Sequence, residues 1–149
     1  MMQNRTMGTA SVVPELAYDD VGAAVDWLCE TFGFTEMWRA GNHRARVAYG
    51  NGIVVVADAT YGRKAPDEAG MTHSVMVRVE DADAHYEHVR RCGAKILSTP
   101  ADHSYGERQY SVEDLGRHIW TFSQSIADVA PEDWGGTRPG PRRDSEQPK

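Results

Sequence analysis

Any chemistry in this chain has to come from a short set of side chains. Glu15 stands in an alternating segment, where a carboxylate facing a cavity can serve as a general base or a ligand contact. The plainer reading is an ion pair with a neighbouring strand, Arg46 or Arg78 being the expected partners. His85 and His88 are three residues apart, a spacing that lets two imidazoles share one helical face for zinc. No third ligand is offered nearby, so a solvated face is expected for them. Arg108 and Tyr110 share one parity. Arginine can clamp an anionic or planar ligand and tyrosine can stack or donate a hydrogen bond; the alternative is that Arg108 pairs with Glu113 or Asp102 and locks its own hairpin. Trp38 is the aromatic candidate for a ligand wall. No Ser-His-Asp order, nucleophile elbow, P-loop or dinucleotide fingerprint occurs, so no motif asks for a cofactor.

The elements that must position these groups follow from periodicity. Residues 1–10 read as a loose leader, and 11–18 as a strand with Pro14 at an edge or bulge. Asp19-Asp20 caps a helix whose apolar face is Val21, Ala24, Val25, Leu28 and Phe32, ended by Gly33. Strands are expected at 34–39, 43–49 and 53–58, with Gly50-Asn51-Gly52 as the hairpin turn between the last two. A Gly-, Pro- and charge-rich linker covers 59–71. The order then repeats: strand 72–79, a helix capped at Glu80-Asp81, and strands at 95–99, 107–112 and 119–123. Placing Asp20 on Asp81 aligns two β-α-β-β-β units, 11–58 and 72–123. An arm at 124–136, anchored by Trp134, and a disordered tail at 137–149 complete the expected layout.

Composition narrows the partners. The 149 residues suit one domain of two small halves. The net charge is −6, and four of the sixteen basic residues lie in the tail, which disfavours nucleic acid and anionic membrane as partners. Two cysteines, Cys29 and Cys92, have no metal-type spacing and are expected as reduced, half-buried thiols. With no apolar leader and no long apolar run, a soluble cytoplasmic protein is expected.

Several segments together carry a family resemblance. They are Tyr18-Asp19-Asp20-Val21 running into Asp26-Trp27-Leu28, then Phe32-Gly33-Phe34, Val79-Glu80-Asp81, Gly93-Ala94, Tyr105-Gly106 and His118-Ile119-Trp120-Thr121-Phe122. They resemble the vicinal oxygen chelate superfamily of glyoxalases, bleomycin-resistance proteins and extradiol dioxygenases, with the bleomycin-resistance type nearest. The resemblance implies an α+β fold of two tandem βαβββ modules, a curved mixed sheet around a cavity, and a homodimer. One departure is visible: Asp114-Leu115-Gly116-Arg117-His118 stands where such proteins read Asp-Pro-x-Gly-His, so the turn glycine comes one place early.

In metal-dependent members, His and Glu side chains hold a divalent ion at four places. The resemblance sets these on Val13, Val55, Ser74 and Thr121, none of which offers an imidazole or a carboxylate. His73 is the nearest substitute, but Val75, Val77 and Val79 share its parity and belong to the core face. That leaves Ser74, Met76 and Arg78 on the cavity side. A metal-independent protein sequestering a small organic ligand, such as an antibiotic or secondary metabolite, is the first expectation. Glu15, Trp38, Ser74, Met76, Arg108, Tyr110 and Thr121 are its candidate contacts. A lyase, isomerase or dioxygenase using Glu15 and His73 as displaced ligands is the alternative, and a non-catalytic domain with a self-filled cavity the third.

Overall fold

The computed structural model describes residues 8–59, 63–67 and 72–140. The expected leader, linker and tail therefore fall partly outside the described residues, at 1–7, 60–62, 68–71 and 141–149. The first module runs β1 (Glu15–Ala17), α1 (Val21–Trp27), β2 (Thr35–Ala40), β3 (Arg44–Tyr49) and β4 (Gly52–Ala57). The second runs β5 (Val75–Arg78), α2 (Ala82–Arg91), β6 (Lys95–His103), β7 (Glu107–Glu113) and β8 (Ile119–Ser125). Each module makes its own four-stranded mixed sheet, ordered β1-β4-β3-β2 and β5-β8-β7-β6. In both, the first strand pairs in parallel with the last and the other pairings are antiparallel.

The repeat is physical at the helix starts. Asp20 accepts from Ala23 N and Asp81 from Ala84 N, each at 3.0 Å, and each fills one of the donors that a helix N-terminus leaves open. α1 ends in a π-helical turn, Leu28–Phe32, closed by Gly33 in the left-handed region at φ 88°. β6 is longer than expected, reaching His103 past Pro100; it is an edge strand with two register shifts, a place where proline is tolerated.

The helix-bearing faces of the two modules share one apolar core. Phe32 is central to it, meeting Trp27, Trp120 and Phe122 edge-on with ring centroids 4.8, 5.3 and 4.9 Å apart. Trp120 and Phe122 are fully buried there, as their parity predicts.

Two polar clasps fix the modules to each other. In the first, Asp114 at the β7–β8 turn is 3 % exposed and accepts four hydrogen bonds. Tyr18 Oη (2.5 Å) and Trp120 Nε1 (2.9 Å) reach Oδ2, and the backbone N–H groups of Gly116 and His118 (2.9 Å each) reach Oδ1. Burial, and after it the Asp114 charge, push the Tyr18 phenol well above its ordinary pKa, so it stays a donor. In the second, His88 is exposed as expected from sequence, but His85 is half-buried rather than solvated. A helix leaves its last carbonyls without partners. Phe32 O and Glu30 O lie 2.8 and 3.0 Å from His85 Nε2 and His88 Nε2. A carbonyl only accepts, so His85 carries its hydrogen on Nε2, and Nδ1 accepts from Tyr110 Oη at 2.5 Å. The cysteines are free, Cys29 half-buried and Cys92 exposed rather than half-buried.

The displaced turn glycine has a steric reason. A Cβ on Gly116 would lie 2.5 Å from Tyr18 Cδ1, so glycine is needed for close approach. The left-handed position of the turn then falls to Arg117, at φ 70°. Arg117→Gly is therefore expected to stabilise the protein by about 1 kcal/mol in urea unfolding, whereas Gly116→Ala destabilises it; a loss of stability in Arg117→Gly contradicts the assignment. A second expectation concerns pH. Burial, first of all, lowers the His85 pKa against the opposing pull of its bond to Phe32 O. The unfolded chain then binds the proton more tightly, so the contribution of neutral His85 is complete above the unfolded value of about 6.5 and is lost as pH falls toward the folded pKa. The stability gap between wild type and His85→Gln should shrink as pH falls below that value; a gap that widens refutes it.

Candidate functional site

Away from the helices, each sheet turns a second face outward. On the first, the register sets Glu15, Val55, Arg46 and Trp38 in one row across β1, β4, β3 and β2. On the second, Met76, Thr121 and Ser111 form the matching row across β5, β8 and β7. Thr121 Oγ1 and Ser111 Oγ share a hydrogen bond at 3.0 Å. The two rows put Val55 and Thr121 where the resemblance places metal ligands, and their neighbours do not make up the deficit. Among the described residues no three His, Cys, Asp or Glu side chains converge to hold an ion. A valine, a second valine, a serine and a threonine do not fit the family's divalent metal, so no reaction step through a metal is derived.

A groove of about 1180 Å³ runs along β5. Its walls are Val12 and Pro14, the Tyr49–Gly52 turn with Ile53, strand β5 itself, and the start of α2 at Glu80 and Asp81. β5 and β1 are both edge strands, so the groove runs where neither sheet continues. Phe34, Tyr49 and His85 make an aromatic corner, with centroids 5.5 Å (Phe34–Tyr49) and 6.3 Å (Tyr49–His85) apart. Burial and then the Glu80 charge raise the Tyr49 pKa, keeping that phenol protonated. Met76, 60 % exposed, offers a flexible apolar surface, and Arg78 a cation. Such an arrangement can exclude water along one side and orient a guest through a few polar groups.

Of the residues expected to contact a ligand, Met76 alone lines this groove. Ser74 is exposed just before β5, and Thr121 lies on the outward face. Trp38 is half-buried, with the Arg46 guanidinium 5.7 Å above its ring. Arg108 and Tyr110 have the opposite parity to Ser111 and face the helices. Tyr110 is fully buried against His85, and Arg108 is held by Asp102 (2.9 Å) and Asp83 (3.0 Å), which raise its pKa in that order. Arg108 shares its parity with Tyr110 and Val112, the two apolar residues of β7, and that is the core parity. Glu15 lines a separate, smaller cavity together with His73. Its ion partners are Arg44 (2.5 Å) and Arg63, not Arg46 or Arg78. The Arg63 hydrogen bond, chiefly, holds its carboxyl below the usual range against the opposing effect of burial, and Arg44 adds to the lowering. With both oxygens taken by guanidinium groups, Glu15 is a poor metal ligand or base. Tyr49, Asn51 and Gln124 were not singled out by sequence. Gln124 Oε1 accepts from Ala82 N at 2.9 Å, tying β8 to the start of α2 beside the groove. No helix among the described residues is long and apolar enough to cross a membrane.

Comparisons with known proteins agree with this architecture. The model of the Glyoxalase/Bleomycin resistance protein/Dioxygenase superfamily matches residues 9–122. The crystal structure of TioX from Micromonospora sp. ML1 is 35 % identical, with 78 % of this chain and 99 % of that chain covered and a TM-score of 0.66. A glyoxalase/bleomycin resistance protein/dioxygenase from Nocardioides is 25 % identical, with 82 % and 87 % covered and a TM-score of 0.64. An uncharacterized protein of Mycobacterium bovis is 25 % identical over 127 residues, 78 % of this chain and 84 % of that protein. The chain belongs to the glyoxalase/bleomycin resistance protein/dioxygenase superfamily.

Proposed function

We propose that this chain is a metal-independent binding protein that sequesters a small organic molecule, of the antibiotic or secondary-metabolite kind, along the β5 groove of a homodimer. The observation that carries the reading is a groove of about 1180 Å³ with apolar and aromatic walls, in a chain whose four family ligand places hold Val13, Val55, Ser74 and Thr121. The volume slightly exceeds the usual 300–1,000 Å³ of a drug-sized pocket, which suits a large guest. Glu80 and Asp81 at one end, in a chain of net charge −6, favour a cationic or neutral guest over an anion. Tyr49 donates, Arg78 donates, and Met76 adapts to the shape of what lies on it.

Thermal denaturation against a panel of planar aromatic and glycopeptide-like antibiotics, bleomycin among them, tests the reading before and after chelator treatment. At least one compound should raise the melting temperature equally in both conditions, because ligand that binds only the folded state stabilises by mass action. Met76→Asp should weaken that binding by about tenfold or more, since it places a charge on the apolar wall. A flat response to the whole panel, or a response abolished by chelation, contradicts the proposal.

A further inference from the structure

A second cavity, about 260 Å³, lies between the end of β1, the β7–β8 turn and residues 63–67. It is independent of the groove. His118 lines it and is 4 % exposed. His118 Nε2 is 2.7 Å from Ala17 O. A carbonyl cannot donate, so Nε2 carries the hydrogen, and in the neutral imidazole Nδ1 is left with a lone pair. That Nδ1 is buried and has no partner in the protein. Buried acceptors are almost always satisfied, and the cavity that this side chain lines is the place where a donor can be held.

Arg63 lines the same cavity, and its Nε is also buried without a protein partner. It presents the opposite need, an N–H looking for an acceptor. The charge around it is not balanced. Glu15 is shared by two guanidinium groups, Arg44 and Arg63, while Lys64 is neutralised by Asp67 at 2.9 Å. The Arg44–Glu15–Arg63 cluster therefore has one positive charge in excess, within a chain of net charge −6. A metal cation does not fit there. Ala17, Ala65 and Pro66 add small apolar surfaces to the wall, and Thr72 and His73 add polar ones.

We propose that this cavity binds a small hydroxycarboxylate. Its hydroxyl donates to His118 Nδ1, and its carboxylate accepts from Arg63 Nε–H under the excess charge of the Arg44–Glu15–Arg63 cluster. The cavity equals the liquid volume of roughly nine water molecules, room for a compact guest rather than a drug-sized one.

The test compares matched pairs on the whole chain: glycolate against acetate, and 3-hydroxybutyrate against butyrate. The readout is the nitrogen chemical shift of His118 Nδ1, followed through the titration. The hydroxy acids should move it and bind about tenfold or more tightly than their parents, because a site built around a hydroxyl rejects the analogue lacking it. Arg63→Gln should weaken the hydroxy acids by about tenfold while His118 still reports the residual binding. His118→Gln loses the bond to Ala17 O and can fail to fold, so the unaltered side chain carries the measurement. Equal responses to each acid and its parent, or a His118 Nδ1 signal that no acid moves because water alone satisfies it, overturn the proposal.

Discussion

The arrangement of the two modules depends on one carboxylate. Asp114 is almost wholly buried, and a buried charge without compensation costs several kcal/mol. Four donors compensate it, and they come from separate parts of the chain: two backbone N–H groups of its own turn, the indole of β8, and the Tyr18 phenol 96 residues away at the end of β1. Hydrogen bonds to charged groups contribute about 1.5–3 kcal/mol each. The same set of bonds therefore shapes the turn, orients Trp120 in the core and ties the second module to the first. The turn sequence follows from it, since Gly116 has to let Tyr18 pass and Arg117 has to accept the left-handed backbone.

The functional surface follows from that packing. Once the helix-bearing faces are committed to a shared core, the free edge of β5 is left to form one wall of the groove. The His85–Phe32 and His88–Glu30 bonds hold α2 against the end of α1. They thereby fix the aromatic corner of the groove, in which His85 itself takes part. His118 belongs to both systems: its backbone N–H feeds Asp114, its Nε2 meets Ala17 O, and its side chain lines the smaller cavity.

Much of the fold was legible locally. The two capping aspartates, the Gly50-Asn51 turn and the core parity of Trp120 and Phe122 are decided by neighbours in sequence, and the structure has them as read. The site was less legible because its determinants are long-range. Nothing near Glu15 in sequence announces Arg63, which comes from the segment read as a linker. On β7 both parities carry polar groups, so only pairing with β8 shows that Ser111 faces outward and Tyr110 inward. The bonds of His85 and His88 were not legible because the carbonyls they meet lie in the other module.

A double-mutant cycle on Tyr18→Phe and Asp114→Asn, read by urea unfolding, tests the central clasp most directly. The account predicts a coupling energy of about 1.5–3 kcal/mol, the range for a hydrogen bond to a buried charge. Additive losses, agreeing within about 0.5 kcal/mol, would show that Asp114 stabilises its own turn alone and that the modules are held together by apolar packing.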